Sequence, residues 1–122
     1  MFRVLLVDDE ELVRVSIAYS LSCAVPNAQV VGEASTGLEG LELLRSLRPD
    51  IVITDIRMPK MDGLEMLRAA REEKLDVQVI VLSGYADFEY ARKAIKYGVT
   101  EYLLKPVDET SLGESIQACI DR

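Results

Sequence analysis

The 122-residue chain has no histidine, no tryptophan and only two cysteines. Without an imidazole, a Ser-His-Asp triad, a Cys-His pair, a histidine metal site and phosphohistidine formation within the chain are all excluded. Any histidine chemistry must come from a partner. Cys23 and Cys119 belong to no CxxC pair, so zinc and thiol-disulfide chemistry lack their usual spacing, and both are expected as reduced core residues. No apolar run approaches the ~20 residues that a membrane span needs. Met1 leads straight into a short apolar segment, without the basic flank and small-residue cleavage site of a secretory signal, so a cytoplasmic location without membrane contact is expected. Positive charge is in deficit: 14 Lys and Arg stand against 21 Asp and Glu, and a net charge of -7 predicts repulsion of nucleic acid by this stretch.

What remains is a balanced globular composition, 49% hydrophobic and 29% charged, of a length that fits one domain over residues 1–122. Phe2 to Val7 is nearly continuous in apolar residues, which predicts a strand buried on both faces. Similar short, β-branched-rich runs recur at Ala28 to Gly32, Ile51 to Ile53, Val77 to Leu82 and Val99 to Leu104. Segments of helical period lie after each strand. Val13, Ile17 and Leu21 mark the first; Leu38, Leu41 and Leu44 the second; Leu64, Leu67 and Ala70 the third. Phe88, Ala91 and Ile95 mark the fourth, and Leu112, Ile116, Cys119 and Ile120 the fifth.

Local stop and start signals agree with these segments. Thr36 to Glu39 and Ser111 to Glu114 fit capping boxes, Asp62 can cap the third helix, and Gly98 can end the fourth in a left-handed conformation. Strict alternation of strand and helix demands a parallel sheet with helices on both faces, a doubly wound α/β architecture. In such sheets ligands bind beyond the carboxyl ends of the strands.

Those ends carry the chemistry. Asp8 and Asp9 follow the first strand, Asp55 the third, Ser83 the fourth, and Lys105, before Pro106, the fifth. Ionised carboxylates brought within about 5 Å repel by about 3 kcal/mol at an effective dielectric near 20, so a cation must offset them. Oxygen ligands without histidine or thiolate favour magnesium, with manganese possible, over zinc. A carboxylate at Asp55 is a competent nucleophile toward phosphorus, giving an acyl phosphate that Lys105 would help neutralise. Each residue also has a plainer reading. Asp8 to Glu11 would be an acidic helix start, Asp55 a turn residue, Ser83-Gly84 a turn and Lys105 a strand-edge lysine.

Val7-Asp8-Asp9-Glu10, Asp55-Ile56-Arg57-Met58-Pro59, Met61-Asp62-Gly63, Leu82-Ser83-Gly84 and Leu104-Lys105-Pro106 together resemble the receiver domain of bacterial two-component response regulators, over essentially the whole chain. The resemblance implies a flavodoxin-like fold with strand order 2-1-3-4-5. It also implies phosphorylation of Asp55 by a sensor histidine kinase and magnesium held by Asp8, Asp9, Asp55 and the Arg57 carbonyl. Lys105 would bind phosphate, while Ser83 and Tyr102 would act as switch residues. Phosphorylation is expected to favour a homodimer through the face containing Tyr102, and DNA contact is expected only through a further C-terminal domain. The stretches Ser83 to Ala91 and Tyr97 to Pro106 look like the receivers of AraC-type helix-turn-helix regulators. Gly84 departs from the alanine often found after the switch hydroxyl, and Arg57 and Tyr85 are bulky at positions where the family tunes phosphorylation lifetime.

Other readings compete. A haloacid-dehalogenase-like phosphatase would carry a second acid two residues after its nucleophile, where this chain has Arg57. A nucleotide- or flavin-binding module would need a phosphate-cradling loop, and neither GxGxxG nor a P-loop occurs. A receiver-like scaffold that is never phosphorylated would not need the full acidic and basic set.

Overall fold

The computed structural model describes residues 1–122, apart from the side chains of Tyr85 and Phe88. The expectations for Phe88 in the core and for Tyr85 beside the site fall on those two side chains and lie outside the described residues. The elements run β1 (Phe2–Val7), α1 (Glu11–Ala24), β2 (Ala28–Ala34), α2 (Gly37–Leu47), β3 (Ile51–Asp55), α3 (Gly63–Glu72), β4 (Gln78–Ser83), α4 (Phe88–Arg92), β5 (Glu101–Leu104) and α5 (Glu109–Ile120). The strands form one parallel sheet of order β2-β1-β3-β4-β5, the architecture and order expected.

Alternation along β1 divides the core. Leu5 and Val7 face Leu41 and Leu44 of α2, Met66, Leu67 and Ala70 of α3, and Ala91 of α4. Val4 and Leu6 point the other way, into a layer with Ile17 and Leu21 of α1 and Leu112, Ile116 and Cys119 of α5. Because both faces are covered, the central strands carry apolar residues without a polar alternation.

Several local expectations are corrected. Helix α5 starts at Glu109, so its N-cap is Asp108, whose carboxylate accepts from the Ser111 N–H at 2.7 Å and from the Ser111 hydroxyl at 3.0 Å. An acceptor with no positive-φ or hydroxyl-rotor demand sits three residues before Ser111 and captures the cap, and Ser111 becomes an interior residue. At α2 the Thr36 hydroxyl does accept from the Glu39 N–H, but the Glu39 carboxylate reaches the N–H of Ser35 and not that of Thr36. Asp62 forms a complete capping box with Glu65.

The fourth helical segment is a five-residue α-helix flanked by 3-10 turns at Tyr85–Asp87 and Lys93–Tyr97. The tighter 3-10 repeat puts Ala91 and Ala94 in the core and leaves Ile95 61% exposed. Leu38, at the first turn of α2, is also exposed. Cys119 is buried, but Cys23 is exposed on α1, and both are free thiols. Gly98 has φ 75° and ends the second 3-10 turn. The Lys105–Pro106 peptide is cis. No helix among the described residues is long and apolar enough to cross a membrane.

Candidate phosphoryl-acceptor site

Strand register delivers the site. Val7 pairs with Thr54, Asp55 with Leu82, and Ser83 with Leu104, so Asp8, Asp55, Ser83 and Lys105 emerge at one edge of the sheet. The backbone N–H of Lys105 donates to the Ser83 carbonyl at 2.9 Å, fixing the end of β5 to the end of β4. At the end of β1, the Asp8 N–H donates to the Ala34 carbonyl. Gly63 allows α3 to start against β3, since a Cβ there would lie 2.2 Å from the Asp55 carbonyl oxygen.

The Lys105 ammonium sits between two buried acids. Its Nζ is 3.0 Å from Asp8 Oδ2, 3.3 Å from Asp55 Oδ2 and 4.0 Å from Glu10 Oε1. Asp55 Oδ1 accepts from the Ile56 N–H at 2.8 Å, and Asp8 Oδ1 from the Glu10 N–H at 2.9 Å. Asp8 Oδ2 is close to the ammonium, yet it is buried and lacks a hydrogen bond of acceptable direction. The ion pair is therefore electrostatic, with a lone pair left over. Burial pushes the Asp55 carboxyl up; Lys105 opposes this and the Asp8 charge adds to it. Burial would lower the Lys105 ammonium, but the close Asp8 and Asp55 carboxylates more than reverse that.

Carboxylate oxygens of Asp8, Asp9 and Glu10 lie within 4.8 Å of one another, with Asp9 and Glu10 exposed. The third acid of this cluster is Glu10, whereas Asp55 is joined to Asp8 through Lys105, because the ammonium occupies the space between them. Sequence reasoning treated Glu10 only as part of an acidic helix start. It also gave no role to Arg14, whose guanidinium donates to the Asp8 carbonyl at 2.6 Å and to Glu33 at 3.1 Å, holding the turn that presents the acids. The orphaned Asp8 oxygen and its two exposed acidic neighbours fit a divalent cation by their all-oxygen chemistry.

Arg57 and Tyr102 both belong to the α4 side of the sheet. The Arg57 side chain points away into a contact with α4, 4.0 Å from the Tyr90 ring centroid and 3.1 Å from Asp87. Tyr90 in turn donates to Asp62 at 2.7 Å, and this bond, with burial and the Asp62 charge, pushes its hydroxyl up to about 12. Tyr102 is half-buried, and its hydroxyl is buried without a hydrogen-bond partner among the described residues. Ser83 is buried at the end of β4. An apolar groove of about 400 Å³ between α1 and the start of α5, lined by Leu12, Ile17, Pro106 and Val107, borders Lys105 but offers no further cation.

A parallel five-stranded sheet with buried acids, a hydroxyl and a lysine at its carboxyl edge defines a phosphoryl-signalling class of domain. Residues 4–117 match the family model of the response regulator receiver domain, and the chain belongs to that family of two-component proteins. It is 42% identical over 120 residues to YesN of Bacillus subtilis, an uncharacterized transcriptional regulatory protein, covering 98% of this chain and 33% of that protein. The transcriptional regulatory protein HptR of Staphylococcus aureus is 39% identical over 112 residues, covering 92% of this chain and 44% of HptR. Among solved structures, the REC domain of the response regulator AraT from Geobacillus stearothermophilus superposes with a TM-score of 0.89 at 40% identity, covering 98% of this chain and 94% of that one. The chain spans a third to a half of the length of these curated relatives.

Proposed function

We propose that Asp55 accepts a phosphoryl group from a phosphohistidine of a partner sensor histidine kinase. The observation that carries this reading is the single ammonium of Lys105 set between buried Asp8 and Asp55, at 3.0 and 3.3 Å. One Asp55 oxygen is committed to the Ile56 N–H, which leaves the oxygen beside Lys105 to attack phosphorus. An O–P bond forms as the P–N bond to the partner's imidazole breaks, and the imidazole takes a proton from solvent. The resulting acyl phosphate adds a charge of about -1.5 to -2, against which Lys105 acts as a point charge. Water later attacks phosphorus, and the Asp55 carboxylate leaves. The domain is thus a regulatory phosphoacceptor, with no turnover of a separate substrate.

Asp8, Asp9 and Asp55, with the Arg57 backbone carbonyl, are the groups that would hold Mg2+ or Mn2+. When bound, the cation supplies positive charge to the transferring phosphoryl oxygens. Ser83 would donate its hydroxyl to a phosphoryl oxygen, and Tyr102 would turn inward as Ser83 moves. Among the described residues no group hydrogen-bonds the buried Tyr102 hydroxyl, so no such bond holds the side chain against rearrangement. A phosphoryl group shifts this equilibrium only by binding the inward arrangement better. The altered face of α4, β5 and α5 would favour a homodimer and control an attached output, transcription through a separate DNA-binding domain. The longer transcriptional relatives support that extension, and a cytoplasmic location accords with it.

The phosphatase reading is not favoured, since Arg57 stands where its second acid belongs. The test is incubation with acetyl phosphate and Mg2+ followed by intact mass measurement. One phosphoryl increment is expected on the unaltered protein and none on Asp55→Asn; equal labelling of both overturns the reading.

A further inference from the structure

Helix α1 begins without a side-chain cap, since Glu10 at its N-cap position makes no capping bond. The turn that joins β1 to α1 is held at Asp8 instead, where three hydrogen bonds converge. The Asp8 N–H donates to the Ala34 carbonyl at 3.0 Å, Asp8 Oδ1 accepts from the Glu10 N–H at 2.9 Å, and the Asp8 carbonyl accepts from Arg14 Nη1 at 2.6 Å. Arg14 lies six residues further on, in α1, and its Nε donates to Glu33 of β2 at 3.1 Å. The guanidinium is thus clamped between the residue after β1 and the neighbouring strand. Its side chain is only 16% exposed, and a guanidinium withdrawn from water to that degree needs its donors satisfied. The consequence reaches Asp9. A peptide unit is planar, so the Asp8 carbonyl, the Asp9 N–H and the Asp9 Cα move as one body. Holding the carbonyl oxygen fixes where the Asp9 side chain starts. That side chain is exposed, yet its carboxylate lies within 4.8 Å of those of Asp8 and Glu10, and repulsion between such groups would otherwise drive them apart.

We propose that Arg14 is a positioning residue for the divalent cation: by holding the Asp8–Asp9 peptide it keeps the two carboxylates in the arrangement that binds Mg2+, and so sets the affinity for the ion. The proposal rests on the assignment of Mg2+ to Asp8 and Asp9 and deepens it. Two effects of the guanidinium on the cation have opposite signs. As a positive charge near the acids it repels Mg2+, and as a clamp on their backbone it favours binding. Glu33 pairs with the guanidinium at 3.1 Å and offsets much of its field, so the clamp outweighs the repulsion. Groups that orient metal ligands without touching the metal commonly change its affinity by roughly 10- to 100-fold.

The test is Mg2+ binding to the unphosphorylated protein, without phosphodonor, by isothermal titration calorimetry. Arg14→Met keeps much of the apolar stem and removes both donors and the charge, and the dissociation constant for Mg2+ is expected to rise roughly 10-fold. Arg14→Lys keeps the charge but not the fork that serves Asp8 and Glu33 together, and should fall between. Loss of charge alone would tighten binding. A purely structural tie between α1 and β2 would lower the melting temperature and leave the affinity of the folded protein where it was. Tighter or unchanged binding in folded Arg14→Met therefore overturns the proposal. If Arg14→Met does not fold, Arg14→Lys decides: weaker binding supports the clamp and unchanged binding overturns it. An unaltered protein that binds no Mg2+, or binds it equally after Asp9→Asn, would sink the metal assignment and this proposal together. Binding that needs Asp9 but is indifferent to Arg14 sinks this proposal alone.

Discussion

Gly63 and Asp55 are packed so closely that a methyl group on Gly63 would sit 2.2 Å from the Asp55 carbonyl oxygen and 3.1 Å from the Ile56 Cα. The contact is to backbone, which cannot rotate aside. The Gly63 N–H also donates to the Ile56 carbonyl at 3.0 Å, tying the start of α3 to the end of β3. Gly63→Ala is expected to cost about 2 kcal/mol or more through overpacking and to disturb Asp55. Urea denaturation with an unchanged midpoint would contradict this.

Gly84 behaves oppositely. Among the described residues nothing beyond its chain neighbours lies within 4 Å of a Cβ there, and its φ is not in the left-handed region. Gly84→Ala should therefore stabilise by roughly 0.4–1 kcal/mol through a less free unfolded chain. A lowered denaturation midpoint would reject it.

Arg71 donates to four backbone carbonyls: Tyr97 at 2.7 Å, Val77 at 2.8 Å, Leu75 at 2.9 Å and Gly98 at 3.3 Å. It pins the turn before β5 to the end of α3. Arg71→Met keeps much of the packing but strands those acceptors, and a loss of about 2–3 kcal/mol is expected, read as a shifted midpoint at unchanged slope.

The raised Asp55 carboxyl makes a pH prediction. A group that holds its proton more tightly when folded adds stability below its unfolded value of about 3.9, and that stability is lost as pH rises through the folded value. At neutral pH the charged Asp55 is therefore a net cost, set by burial and by Asp8 against Lys105. Asp55→Asn should melt a few degrees higher than the unaltered protein at pH 7, with the gain shrinking as pH falls through the raised folded value and lost by about pH 4. A melting temperature lowered at pH 7 would contradict it.

Magnesium should reverse that cost. At 10-fold above its dissociation constant a ligand of the folded state adds about 1.4 kcal/mol. Mg2+ is expected to raise the melting temperature of the unaltered protein and to do so far less for Asp9→Asn. Equal shifts in both would remove Asp9 from the metal site.

Much of this was legible in the sequence because burial on both faces leaves a continuous apolar signature. The apolar run of β1 spans the whole strand, and the polar residues at the carboxyl ends of β1, β3, β4 and β5 fall on one edge once the alternation fixes a parallel sheet. Failures came where a local competitor decided the outcome. Asp108 captured the α5 cap from Ser111, and 3-10 turns moved Ile95 off the core face. Glu10, Arg14 and the Tyr90 contacts were missed for a different reason: each depends on where a long side chain reaches across the fold, which periodicity does not encode.

The most direct test of the central claim locates the acyl phosphate chemically. Borohydride reduces an aspartyl phosphate to homoserine and leaves phosphoserine and phosphotyrosine intact. After treatment with acetyl phosphate and Mg2+, then borohydride, peptide mapping should find homoserine at position 55 alone. Homoserine at Asp8 or Asp9, or phosphate retained on a hydroxyl with Asp55 unreduced, would contradict the account.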